Sequence, residues 1–268
     1  MRDLNIFFQN AIEDLVFLLD RQYPKKSAIE LVGNRYQLDS DERMVLYRGV
    51  FDTEGMKERL RKRVETPVTG RVLIDGYNVL ITIESYLKGK LVFRSLDTFV
   101  RDVSGMYGNH AFSDFTRRSI ELIVQFMKQG KTGCGMNKPA DGGRGDSVYT
   151  GSVRPDSVRP DSSRTDSIRP DSVQQDTVFL DYPVSKSGEL AASMRKAFKK
   201  DRLNVEVAVV KSPDKLIIEE SRAGGLVVVA SSDTVILDRV ARGIDIPAYI
   251  IERIFQKELI DLNAIGKR

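Results

Sequence analysis

The sequence predicts an α/β protein: a three-layer domain around a parallel sheet, preceded by a small all-helical N-terminal domain. Two observations carry this. From residue 71 onward, short runs that are apolar at nearly every position alternate with helical segments, the pattern of strands buried on both faces. Before that, residues 1–66 show only the three-to-four-residue apolar spacing of helices. Between them "ETPVTG" (65–70) breaks the pattern with Pro and Gly and marks a boundary.

The helical part opens with "LNIFFQNAIEDLVFLLDR", which sets Leu4, Phe8, Ile12, Leu15 and Leu19 on one face. A second helix starts at Pro24, whose fixed φ suits a first turn, and runs to Gly33. The third starts on Asp39 with Glu42 three residues on, a capping box. The basic run "KERLRKR" (57–63) reads as a solvated helix face. Three short helices with basic residues suit a bundle packing on its neighbour, the favoured reading, or a helix-turn-helix DNA reader.

In the α/β part the expected strands are 71–75, 177–181, 205–210, 226–231 and a last short one, "PAYII" (247–251). The expected helices are 113–129 with Ser113 as N-cap, 187–200, 213–222 with Pro at its first turn, and 233–241. Residues 130–176 hold Gly, Ser, Asp and the pentads "SVRPD", and almost no large apolar side chain. Such a segment cannot bury enough surface to offset its ordering entropy, so it reads as a disordered insertion in the α/β domain of 71–268. Deleting 152–176 is expected to leave folding largely intact.

Composition narrows the chemistry. The 268 residues are 41% hydrophobic with a net charge of +4, which mildly suits a polyanion. Cys134 is the single cysteine and His110 the single histidine, which excludes an intrachain disulfide, cysteine-rich zinc or iron–sulfur sites and multi-histidine metal sites. Metal chemistry must rest on Asp, Glu and Asn oxygens, which suit Mg²⁺ or Mn²⁺. His110 in "GMYGNHAF" has no carboxylate near it in sequence to orient it and reads as a loop residue. The N-terminus lacks the apolar core of a signal peptide and no run is long enough to cross a bilayer. The expectation is a soluble, cytoplasmic protein with no membrane partner.

In a parallel sheet all strands exit at one edge, and ligands bind there. Reading the strand ends gives Asp75 and Asn78 in "DGYN", Asp181 after the second, Asp214, Glu219 and Glu220 after the third, and Ser232 and Asp233 in "SSD" after the fourth. Carboxylates crowded together stay ionised only beside a cation. Each acid also has a structural reading: Asp75 with Gly76 shapes a turn, while Asp214 and Asp233 sit where helix caps are expected. Their joint placement at one edge carries the inference. In "DYPVSKSGELA", Lys186 and Ser187 stand at a helix N-terminus and suit either a phosphate or an ordinary capped turn.

"VLIDGYNVL" resembles the opening strand of PIN-like nucleases of the NYN type, "VVVASSD" their later strand, and "VVKSPDKLIIEES" their middle segment. The resemblance spans 71–251 and implies a divalent-metal-dependent ribonuclease. On it, Asp75, Asp214 and Asp233 are metal ligands and catalytic groups, with Asn78 and Ser232 in support. Asp181 would face substrate or back the ligands. The whole chain, including "YPKKSAIELVGNRY", is also similar to an archaeal family of unassigned function. Cleavage of RNA with Mg²⁺ or Mn²⁺ is the expected activity. The rival readings are a non-catalytic PIN-like module binding RNA or protein, and a DNA-binding regulator.

Overall fold

The computed structural model describes residues 6–104, 110–131, 175–182, 184 and 186–265, and most of the segment 130–176, expected to be disordered, lies outside them. Four helices come first: α1 (Ile6–Asp20), α2 (Lys25–Arg35), α3 (Ser40–Gly49) and α4 (Thr53–Lys62). Asp39 makes the expected capping box with Glu42. Pro24 sits one place earlier than read, as the N-cap of α2. The fourth helix, read only as a basic face, is capped by Asp52.

β1 (Arg71–Asp75) then leads into α5 (Gly76–Leu87), the short strands β2 (Val92–Arg94) and β3 (Val100–Asp102), and α6 (Asp114–Gln129). The chain continues through β4 (Asp176–Asp181), α7 (Ser187–Lys200), β5 (Val205–Val210), α8 (Pro213–Ser221), β6 (Val227–Ala230) and α9 (Thr234–Leu237). It ends with β7 (Gly243–Ile244), α10 (Ile246–Tyr249), a π-helical turn (Ile250–Ile254) and β8 (Ile260–Asp261). "PAYII" is therefore helical, a correction to its reading as a strand. Asp245 caps it by accepting from Ala248 N at 2.8 Å, and Pro247 fills the first turn, where its missing N–H costs nothing.

The sheet is parallel throughout, in the order β5-β4-β1-β6-β7. Alternation divides it cleanly. Val72, Ile74, Val178, Leu180, Val228 and Ala230 join the core that holds α5, α6 and α7, whereas Leu73, Phe179, Val227 and Val229 join the one under α8 and α9. A second sheet, β3-β2-β8, contributes Phe93 and Leu262 to the core of the N-terminal helices.

The basic run is only partly a solvated face. Arg59, 5% exposed, forks both oxygens of Asp238 at 2.6 and 3.0 Å and reaches Asp97 at 3.4 Å. Lys62 donates to the carbonyls of Leu237 and Asp238 at 3.1 and 3.0 Å, at the C-terminus of α9, and Arg63 bonds the carbonyl of Thr98. Arg101, 3% exposed, grips both Asp97 oxygens at 2.5 and 2.9 Å, while its Nε donates to the Ser232 carbonyl at 3.0 Å. Burial works against the Asp97 charge, but the two arginines hold its carboxyl below the usual range.

The insertion is also shorter than 130–176. Asp176 is buried in β4, accepts from Val72 N at 2.7 Å and pairs with Lys131 at 2.6 Å, while Val68 N donates to Gly130 O at 2.8 Å. Asp176 thus belongs to the sheet, while Lys131 makes an isolated bridge with Val68, and a deletion through Asp176 cuts into a strand.

Arg101→Ala leaves Asp97 buried without its main partner and is expected to cost about 3–5 kcal/mol of unfolding free energy. Arg101→Lys should recover only part, because an ammonium cannot make the two-pronged contact. Urea denaturation reads both, and a loss in Arg101→Ala under about 1 kcal/mol would show the pair is dispensable.

Candidate active site

The strand order reverses at β1, with β4 on one side and β6 on the other. A crevice opens at such a switch point outside the carboxyl ends of the strands. Asp75 ends β1 and is buried at 8% exposure. Gly76 follows it without a positive φ, so no turn demands glycine there. A Cβ on Gly76 would stand 2.8 Å from the Phe179 carbonyl and 2.6 Å from Leu180, so the residue is small because α5 starts hard against β4.

The loop after β6 is fastened to this start of α5. Ser231 Oγ donates to Asp75 Oδ2 at 2.8 Å and accepts from Asp233 N at 3.0 Å. Asn78 Oδ1 accepts from both the N–H and the hydroxyl of Ser232, at 2.9 and 3.0 Å. Asp233 caps α9 by accepting from Val235 N at 2.6 Å, so its structural reading holds as well. Asp181 ends β4, and Asp214 lies in the first turn of α8. These two line one cleft together with Glu219.

The four aspartates feel one another. Burial first, then the charges of Asp214 and Asp233, push the Asp75 carboxyl up to about 7, against the lowering pull of Ser231. Loss of solvent and the charge of Asp233 raise Asp214; burial and the charge of Asp214 raise Asp181. Among the described residues, however, no three Asp, Glu, His or Cys side chains are gathered closely enough to hold one metal ion.

Other expected site residues are engaged in structural contacts or stand apart. Glu220 pairs with Arg71 at 2.5 Å, at the start of β1 and so at the opposite edge of the sheet. One helical step of about 100° separates it from Glu219, and only one of the two can face the edge. Ser187 is buried, and its hydroxyl is engaged by the carbonyls of Asp181 and Val184 at 2.5 and 2.6 Å and by Tyr77 OH at 2.9 Å. It closes the turn into α7, which leaves no hydroxyl for a phosphate. Lys186 is exposed, with φ +65°.

His110 is not a bare loop residue. Its Nε2 lies 2.7 Å from Glu84 Oε1, which Thr116 also reaches at 2.8 Å, and the imidazole packs edge-on to Tyr77. The orienting carboxylate comes from α5, a helix that local sequence gave no reason to pair with it. Although burial opposes it, hydrogen bonds from His110, Lys88 and Thr116 hold Glu84 low. Ser231 and Arg101 are the further residues that build the edge; "SSD" offered two serines without saying which one meets Asp75, and nothing near Arg101 signals its reach to Ser232.

Residues 65–134 and 165–249 match a family model described as a domain of unknown function, DUF5616. Residues 7–62 match another, described as a protein of unknown function, DUF434. An uncharacterized protein of Methanocaldococcus jannaschii is 25% identical over 253 residues, which cover 93% of this chain and 99% of the relative. No solved structure matches the chain. The similarity to an archaeal family of unassigned function is borne out at that level. Among the described residues no helix is long and apolar enough to cross a membrane.

The raised Asp75 predicts a pH dependence of stability in metal-free protein. The folded state keeps a proton that the unfolded chain releases near its ordinary value of 3.8. The contribution of Asp75 to stability is therefore full below about pH 4 and drains as pH rises to about 7, by at most about 4 kcal/mol at 1.36 kcal/mol per unit. Asp75→Asn should flatten most of that decline in urea titrations at several pH values; an unchanged slope would show that Asp75 is not the group responsible. Gly76→Ala should cost about 1–3 kcal/mol by forcing α5 off β4, measurable by the same titration.

Proposed function

Because the chain belongs to the DUF5616 family, whose description assigns no activity, we propose a function from the site itself: a PIN-like, divalent-metal-dependent ribonuclease of the NYN type. One observation carries this reading. Strand ends from β1, β4 and β6 and the helix start after β5 bring Asp75, Asp181, Asp233 and Asp214 to the carboxyl edge, across the switch point. Asp233 also caps α9, but repulsion among the four acids disfavours their concentration at one edge.

Asp75, Asp181, Asp214, Asp233 and Asn78 offer only oxygen donors there, which fits Mg²⁺ or Mn²⁺. Magnesium is commonly held by one or two carboxylates, with water and substrate phosphate completing its shell, so Asp75, Asp214 and Asp233 need not all bind one ion. Bound there, the ion supplies charge stabilisation for the phosphoryl group and a more acidic water. The protein's share is positioning. Ser231 orients the Asp75 carboxylate, Asn78 clamps the Ser232 backbone, and the α9 cap holds Asp233 beside them. Asp181 and Glu219 border the same space from the cleft side.

A second reading, a non-catalytic module of the same fold that binds RNA or protein, is favoured by the lack of three gathered ligands among the described residues. The DNA-regulator reading loses support because Arg59, Lys62 and Arg63 are spent on internal contacts.

Cleavage of diverse RNAs with Mg²⁺ or Mn²⁺ separates the first two readings. Wild type should cleave, and Asp75→Asn and Asp233→Asn should each lose about a hundredfold or more, roughly 3 kcal/mol of transition-state stabilisation. Equal activity in all three proteins, or none with either metal, sinks the nuclease reading.

A further inference from the structure

The cleft beside the acids extends away from them. It has a volume of about 660 Å³, within the usual range of ligand sites, and lies between α8 and α9. Both helices return from the carboxyl edge of a parallel sheet, so they run side by side in one direction. Their starts hold Asp214 and Asp233. Past their ends stand Arg222 and Arg239, where Arg222 Nη2 donates to the Arg239 carbonyl at 3.4 Å. From Asp214 to Arg222 the helix rises about 12 Å at 1.5 Å per residue. At the end away from the sheet edge the cleft offers the guanidiniums of Arg222 and Arg239, while toward the edge it mixes Asp181, Asp214 and Glu219 with Lys211 and Lys215, the last 3.8 Å from Glu219.

Arg222 and Arg239 are exposed, and so is Lys211 on the cleft wall; among the described residues none of the three has a carboxylate partner. Unneutralised guanidiniums facing one cleft are poised for an anion, and the planar fork of arginine suits phosphate. Among the described residues the wall carries no aromatic ring for stacking, and its apolar members are Pro213, Ile218 and Val235. Such a surface contacts a phosphate backbone without reading bases.

We propose that this cleft carries the backbone of a single-stranded RNA on one side of the scissile phosphate, with Arg222 and Arg239 taking phosphates distant from the acids. The proposal rests on the nuclease reading for the direction of the strand, but binding tests it separately. A peptide rich in acidic residues would offer the same charge and is the alternative the test must separate.

The experiment uses the full chain carrying Asp75→Asn, with chelator and no added metal, so that nothing is cleaved. Fluorescence anisotropy follows a labelled oligouridylate and a mixed-sequence strand across a salt series. Each cation neutralising a single-strand phosphate contributes about 0.7 to the slope of log affinity against log salt. Adding Arg222→Ala and Arg239→Ala should shallow that slope by about 1.4, to the same extent for both strands. Adding Lys196→Ala and Lys200→Ala, which remove equal charge from exposed positions on α7, should leave the slope in place. Glu219→Lys should steepen it, a gain that damage to the fold cannot imitate. Equal slopes in the arginine and lysine variants overturn the proposal, as does competition by polyglutamate as strong as by unlabelled RNA. If wild type never cleaves RNA with either metal yet the arginines set the slope, the cleft stands and the nuclease reading falls. If wild type cleaves and the slope ignores the arginines, the reverse holds.

Discussion

The buried Arg101–Asp97 pair is the contact on which the other arrangements depend. Arg101 has one guanidinium and four acceptors to serve: both oxygens of Asp97, the Ser95 hydroxyl and the carbonyl of Ser232. Asp97 in turn meets Arg59 from α4, which forks Asp238 after α9. A helix of the N-terminal part, a strand of the small sheet and the loop at the candidate site are thereby fixed to one another by ionic hydrogen bonds. Phe51 lies under Arg59, Arg101 and Lys25, with the cations 4.6, 4.9 and 4.1 Å from its ring centroid. Lys25 shows the strain of this crowding: burial, then its two cationic neighbours, lower it to about 7. Carboxylates answer both arginines, whereas among the described residues Lys25 has only a carbonyl within hydrogen-bond reach, that of Val50 at 2.7 Å.

This network accounts for how the acidic edge is held together. Repulsion among Asp75, Asp214 and Asp233 pushes the edge apart, while Ser231, Asn78 and Arg101 pull the loop after β6 onto the start of α5. The pulling groups are neutral or cationic and approach from behind, so they position the acids without neutralising them. The cleft between α8 and α9 keeps acids toward the sheet edge, with Lys211 and Lys215 among them, and the guanidiniums of Arg222 and Arg239 at its far end.

The elements legible from sequence were those whose pattern is local. Residues 71–75 and 205–210 form strands, and 187–200 a helix, as their periodicity and turn residues imply. Asp75, Asp181, Asp214 and Asp233 were found because a parallel sheet fixes where strand ends go. The misreadings have a common physical origin in long-range contacts. "PAYII" has strand-like side chains but a capping Asp245 whose other oxygen is bonded by Val100 N, far off in sequence. Glu84 and His110 meet across 26 residues, Arg59 and Asp238 across 179, and Arg101 and Ser232 across 131. Local propensity cannot register any of them.

The pentad frame shows how far position outranks identity. Asp176 and Asp181 are five residues apart, the repeat's own period, and both belong to β4. Five is odd, and successive strand residues alternate faces, so the two aspartates point to opposite sides of the sheet. About 17 Å of strand also separates them, at roughly 3.3 Å per residue. Asp176 turns toward the α6 side, where Lys131 neutralises it and Val72 N donates to it, and there it seals the entry of the insertion. Asp181 turns toward α8 at the carboxyl edge, where its nearest charged influence is Asp214 and its carboxyl is raised. A repeat that grew by copying one aspartate every five residues would deliver the same residue to a structural ion pair at one edge and to a chemical edge at the other. The sheet, through its alternation and its polarity, assigns the roles.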